Sequence, residues 1–383
     1  MTRSSERSPR RALGCAAALV VLSSAAACGD DAAGTESSGT TSTTGASATT
    51  SDATASAGTE ATTAGSESGS DASSGGSTSA TSAGETTGTT GGATTDATTT
   101  TDGTTTTTTT AGVECPGGGL GPGDHTLELD HGGLTRTALL HVPPGYDDGV
   151  ATPLVVNFHG LSSNAGQQVL FSGMNATADA EGFIVAYPEG VMNSWNAGEC
   201  CGGAQEQGID DVGFVRALVE AIEAEACVDP ARIFATGMSN GGFMTNRLAC
   251  EANDLFAAFA PVSAALVTIP CAPARAIPTM IFNGTQDALV PYDGGLFFGA
   301  QETFAFWVEA SGCEGAPVTT YDEGAATCET FDSCDEGAEV TLCTIDPMGH
   351  CWPGNDFCPF PPANSDIAAN DAMWAFFAAH PMP

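Results

Sequence analysis

Three residues have types and an order that could carry out acyl transfer: Ser239, Asp287 and His350. Ser239 lies in Gly237-Met238-Ser239-Asn240-Gly241. This is a G-x-S-x-G stretch, between an apolar run of strand type (Ile233 to Ala235) and a helix-period run that includes Phe243, Met244, Arg247 and Leu248. A tight strand-to-helix turn would hold the serine hydroxyl clear of the sheet, with the positive end of the helix beneath it. A hydroxyl alone is a weak nucleophile; it needs a base to take its proton and an acid to orient that base. Of the six histidines, His350 is the one at the end of a strand beyond the serine. His125, His131 and His141 precede the core sheet, His159 opens the loop after an earlier strand, and His380 falls in the closing helix. Asp287 ends Asn283-Gly284-Thr285-Gln286-Asp287, just past a strand, and is favoured as the acid over Asp293, further along the same loop. Attack would create an oxyanion that needs preorganised donors. The backbone N–H of Asn240 and that of Leu161, in the loop after His159-Gly160, are the expected pair.

These residues need a scaffold that brings strand ends together. Residues His125 to Leu129 and Arg136 to Val142 read as a hairpin around Gly132-Gly133. Strands follow at Leu154–Phe158, Gly182–Pro188, Ile233–Ala235, Phe256–Val262, Thr279–Asn283 and Val340–Ile345. Helical spacing covers Asn164–Glu181, Ile209–Ala226, the segment after Ser239, Gln301–Ala310 and Ile367–Ala379. Asp210 and Asp211 open the second of these helices, where carboxylates suit the helix dipole. A leading hairpin followed by strand–helix alternation predicts an α/β domain, a mostly parallel central sheet with helices on both faces.

The N-terminus reads as processing signal rather than fold. Arg3, Arg7, Arg10 and Arg11 precede an apolar stretch, Ala12 to Ala27, that ends in small residues at Cys28. Residues 1–27 are expected to be a signal peptide, and Cys28 a lipid-anchor site, although Ala25 stands where a lipobox usually carries Leu. Residues 28–112 are nearly all Thr, Ser, Gly and Ala, a composition that buries no core, and are expected to be a disordered tether spanning roughly 50 Å. The folded unit is then 113–383. A formal charge of -37, with five arginines in that unit, excludes nucleic acid as a partner and leaves a lipid anchor as the only membrane contact. Twelve cysteines in an exported domain read as disulfides, with Cys250–Cys271 and Cys351–Cys358 as local pairs; no metal-ligand spacing is present.

The domain resembles the secreted esterase family of polyhydroxybutyrate depolymerases and feruloyl or acetylxylan esterases over nearly all of Leu154 to Gly354. Matching segments include Tyr187-Pro188-Glu189-Gly190, Ser194-Trp195-Asn196, Cys200-Cys201, Asp210-Asp211-Val212-Gly213-Phe214, Gly237 to Gly242, Gly284-Thr285-Gln286-Asp287 and Gly349-His350 with Trp352-Pro353-Gly354. The chain departs at Asn283, where the family often has His, and at Pro347-Met348, where it has glycines. The resemblance implies an α/β-hydrolase fold, a Ser-Asp-His triad, no cofactor, and a monomeric catalytic unit outside the cell. The expected partner is an oligomeric or polymeric ester. Trp195, Trp352 and His159 are expected to line the substrate. The reading inclines to feruloyl or acetyl esters of plant polysaccharide, because no polymer-adsorbing segment follows the catalytic residues in this sequence. The alternatives are a poly(3-hydroxybutyrate) depolymerase and a non-catalytic surface lipoprotein.

Overall fold

The structure, a computed structural model, describes residues 113, 115–117 and 119–383. The expected signal peptide, Cys28 and the Thr/Ser/Gly-rich tether therefore lie outside the described residues. Two long strands, β1 (Gly123–His131) and β2 (Leu134–Val142), pair antiparallel, as the Gly132-Gly133 turn predicts. Next come β3 (Thr152–Phe158), helices α1 (Ala165–Ser172) and α2 (Met174–Glu181), and β4 (Ile184–Pro188). The short α3 (Gly203–Glu206) and the long α4 (Asp211–Glu225) lead to β5 (Val228–Met238), α5 (Asn240–Glu251), β6 (Ala258–Val262) and β7 (Thr279–Gly284). The chain closes with α6 (Ala300–Ala310), β8 (Val318–Glu323), β9 (Ala326–Phe331), β10 (Val340–Ile345) and α7 (Ala369–Ala379).

All ten strands form one sheet in the order β1-β2-β4-β3-β5-β6-β7-β10-β9-β8. From β4 to β10 every pairing is parallel, while antiparallel hairpins close both edges. Alternate residues of each central strand feed opposite faces. Leu154, Val156, Ile233, Ala235, Ile281 and Leu342 pack with α4, α5 and α6. Val155, Phe234, Phe282, Cys343 and Ile345 pack with α1, α2 and α7. Both faces are thus covered, which is why the parallel strands read as unbroken apolar runs.

Two differences from the sequence reading have local causes. The single helix expected over 164–181 breaks at Gly173, whose φ of 60° caps α1 in the left-handed region. The β8–β9 hairpin was not expected at all: β8 is a mostly exposed edge strand, Val-Thr-Thr-Tyr-Asp-Glu, with no apolar face to announce it. All twelve cysteines of 113–383 are paired: 115–227, 200–201, 250–271, 313–334, 328–343 and 351–358. Both anticipated local pairs are among them. Cys328 and Cys343 are directly opposed on β9 and β10.

Candidate active site

β3, β5, β7 and β10 run parallel, so the loops at their C-terminal ends emerge on one edge of the sheet. Ser239 is the single residue between β5 and α5, at φ 57° and ψ -124°. A non-glycine residue holds such a conformation only where its surroundings over-determine it. Here the Ser239 N–H donates to Val262 O at 3.0 Å, and its carbonyl accepts from Phe243 N at 2.8 Å. The turn also presses on the end of β3: a Cβ on Gly241 would meet the carbonyls of Phe158 and His159.

The loops after β7 and β10 are laid against each other. Thr285 N donates to Ile345 O at 3.0 Å and Gln286 N to Met348 O at 2.9 Å. This brings Asp287 to His350, with Oδ2 2.7 Å from Nδ1 and side chains 0% and 4% exposed respectively. The other carboxylate oxygen of Asp287 accepts from Leu289 N (2.9 Å) and Val290 N (2.8 Å). An ionised carboxylate only accepts, so Nδ1 is the donor to Oδ2, and the neutral ring in that tautomer has its acceptor at Nε2. Asp293, the other acid considered, is exposed and bonds to no histidine among the described residues.

The loop after β3 lies beside the serine. A Cβ on Gly160 would stand 3.3 Å from Ser239 Cβ and 3.8 Å from Oγ. Ser162 and Ser163 N–H groups are taken by Asn193 O (2.8 Å) and Gly160 O (3.2 Å). Among the described residues the Leu161 and Asn240 N–H groups have no acceptor. His159 holds this loop. Its Nε2 accepts from Gly190 N at 2.9 Å, so Nδ1 bears the hydrogen and donates to Gly160 O at 2.8 Å. Burial pushes the His159 ring below its ordinary pKa, favouring this neutral form.

Known esterases resemble this chain in sequence. The family model described as "Esterase PHB depolymerase" matches residues 137–289. "Feruloyl esterase B" of Piromyces equi is 36% identical over 234 residues, 56% of this chain and 42% of that protein. The chain thus spans less than half the length of that relative. "Putative esterase NocK" of Nocardia uniformis subsp. tsuyamanensis is 33% identical over 60% of this chain and 74% of that protein. "Feruloyl esterase C" of Emericella nidulans is 30% identical over 64% and 84%. The chain belongs to the PHB-depolymerase esterase family.

The three residues expected to line the substrate are enclosed in this family member. Trp195, Trp352 and His159 are 0%, 1% and 0% exposed, so none of them lines an open surface. Each has an internal partner instead. Trp195 donates its indole N–H to His159 O at 2.9 Å, and its own backbone is clamped by Asn240, whose Oδ1 accepts from Trp195 N (2.7 Å) and whose Nδ2 donates to Trp195 O (3.1 Å). Trp352 donates to Asn370 Oδ1 at 2.9 Å on the opposite face of the sheet. Trp195 therefore ties the Leu161 loop to the residue that follows Ser239.

The sequence reading missed what supports this tie. Arg136 and Asp211 form a buried pair at 2.8 Å, 3% and 0% exposed. Arg136 also donates to Glu189 O (3.1 Å) and lies 3.7 Å from the Phe214 ring centroid, while Asp211 Oδ2 accepts from Asn196 N at 2.8 Å. Burial raises the Asp211 pKa, against the opposing pull of the Asn196 N–H and the guanidinium. A signal was available: Arg136 shares a strand face with Ala138, Leu140 and Val142, so it had to be buried and needed a partner.

Proposed function

We propose that this esterase hydrolyses carboxylic esters through an acyl-enzyme. The Ser239 hydroxyl oxygen attacks the ester carbonyl carbon as His350 Nε2 takes its proton. The carbonyl oxygen becomes an oxyanion received by the Asn240 and Leu161 N–H groups. As the tetrahedral species collapses, the carbonyl–alcohol bond breaks and His350 returns the proton to the departing alcohol oxygen. Water then attacks the acyl-enzyme by the same route, its proton passing through His350 to Ser239 and releasing the acid. Asp287 keeps His350 in the tautomer that can accept. The observation that carries the reading is the buried 2.7 Å Asp287–His350 contact on the same sheet edge as the strained Ser239.

The substrate proposed is a feruloyl or acetyl ester of plant polysaccharide. Support comes from relatives named feruloyl esterase in Piromyces equi and Emericella nidulans, and acetylxylan esterase/xylanase in Neocallimastix patriciarum. The family name favours a second reading, a poly(3-hydroxybutyrate) depolymerase. Six disulfides suit an exported protein, and the finer proposal is a surface lipoprotein anchored at Cys28 on a flexible tether. The test is turnover of methyl ferulate and clearing of a polyhydroxybutyrate suspension, each with wild type and Ser239→Ala. Ferulate turnover lost in the variant supports the polysaccharide-ester reading. Polymer clearing without ferulate turnover moves the substrate to polyesters. Inertness to both esters and to a serine-reactive phosphonate would favour the alternative of a non-catalytic surface lipoprotein.

A further inference from the structure

With Trp195 and Trp352 enclosed, any aromatic contact to substrate falls to another ring. Phe360 is 51% exposed, and its ring centroid lies 6.0 Å from that of His350 with planes at 64°. Its place relative to the base is fixed by backbone. His350 N donates to Phe360 O at 3.0 Å, and Gly349 N to Pro362 O at 2.8 Å. The Cys351–Cys358 disulfide closes the segment between them. Gly349 permits the close approach, since a Cβ there would strike the Phe360 carbonyl.

The chemistry says which part of an ester this ring meets. The carbonyl oxygen must face the Asn240 and Leu161 N–H groups. The alcohol oxygen must come within reach of the base that protonates it, so the alcohol portion lies along His350. An exposed ring packed beside His350 is therefore a candidate to meet the alcohol. In an ester of a polysaccharide that alcohol is a sugar, whose C–H face is flat and apolar enough to pack on an aromatic ring. Resting on the esterase reading above, we propose that Phe360 is a specificity-determining residue that seats the sugar of the leaving alcohol.

The test holds the acyl group constant and changes the alcohol. Kinetics on a feruloylated arabinose oligosaccharide and on methyl ferulate are compared for the full chain, Phe360→Ala, Phe360→Tyr and Phe357→Ala. Phe357 is a control: it is 58% exposed nearby, but its ring already stacks on Phe171 at 5.3 Å. Phe360→Ala is expected to lose roughly tenfold or more in kcat/KM on the sugar ester, chiefly through KM, with methyl ferulate changed by less than about twofold. Phe360→Tyr keeps the ring and should keep the preference, and Phe357→Ala should alter neither substrate. Equal losses on both esters, or none on either, would overturn the assignment. A wild-type chain that labels with a phosphonate yet turns over neither ferulate ester refutes the sugar seat but leaves the nucleophile standing. Absence of labelling removes the esterase reading and this proposal together.

Discussion

Asp287→Asn separates the role of the acid from its place in the loop. Asp287 Oδ1 accepts from Leu289 N (2.9 Å) and Val290 N (2.8 Å), and Oδ2 meets His350 Nδ1 at 2.7 Å. An asparagine will keep its carbonyl on the two backbone donors. Turned the other way, its NH2 would face two N–H groups in a site whose acid side chain is 0% exposed. The NH2 group must then point at Nδ1, which becomes an acceptor, and the ring proton moves to Nε2. That atom can no longer take the proton of Ser239. The expected loss is on the order of 10⁴-fold in kcat, or about 5.5 kcal/mol at the barrier. Because the backbone hydrogen bonds survive, Tm should barely move. The assay is initial-rate kinetics on methyl ferulate beside a thermal melt. A kcat within about tenfold of wild type, at unchanged Tm, would refute the tautomer reasoning and remove Asp287 from the proposed triad.

Other perturbations follow from single contacts. Trp195→Phe deletes the donor to the His159 carbonyl and should destabilise the chain by ~1–3 kcal/mol in denaturant melts, lowering kcat more than it raises KM. An equal and purely thermal effect would show that Trp195 does not align the Leu161 loop. Gly241→Ala sets a Cβ 2.6 Å from the His159 carbonyl oxygen, so the elbow cannot close; phosphonate labelling of a soluble variant at the wild-type rate would contradict this. His141 bridges Asp124 (2.7 Å) and Asp179 (2.8 Å); burial pulls its pKa down, but these two carboxylates outweigh it and the net shift is upward from 6.5. With the folded value above the unfolded one, its contribution is complete below about pH 6.5 and fades as pH rises through the folded value. Tm of wild type should therefore fall more steeply than that of His141→Gln as pH rises from about 6.5, and parallel curves would discount the bridge.

What could be read from the sequence was whatever chain order or periodicity enforces. The approach of Asp287 to His350 was legible because a parallel sheet delivers strand ends to one edge, whatever the loops contain. The two-faced core was legible because its strands are apolar on both sides. The β8 strand was not, since an exposed edge strand needs no apolar residue to hold its place in the ladder. Arg136 was legible in principle, as a charge on the inward face of β2, but its meaning depended on knowing that Asp211 would come to it from 75 residues away. The aromatic side chains mark the sharper limit. Trp195, Trp352 and Phe360 all belong to loops near strand ends, and composition treats them alike. What divides them is polar partnership: each indole N–H is satisfied inside, by His159 O or by Asn370 Oδ1, so both tryptophans can be enclosed without an orphaned donor. Phe360 has no ring N–H to satisfy: its carbonyl accepts from His350 N, its ring lies at a steep angle to the His350 ring, and the side chain stays half exposed. An aromatic tethered by its main chain beside a base is free to exchange water for substrate; one locked by its own N–H is not. That distinction is the reason the substrate contact is proposed for Phe360 rather than for either tryptophan.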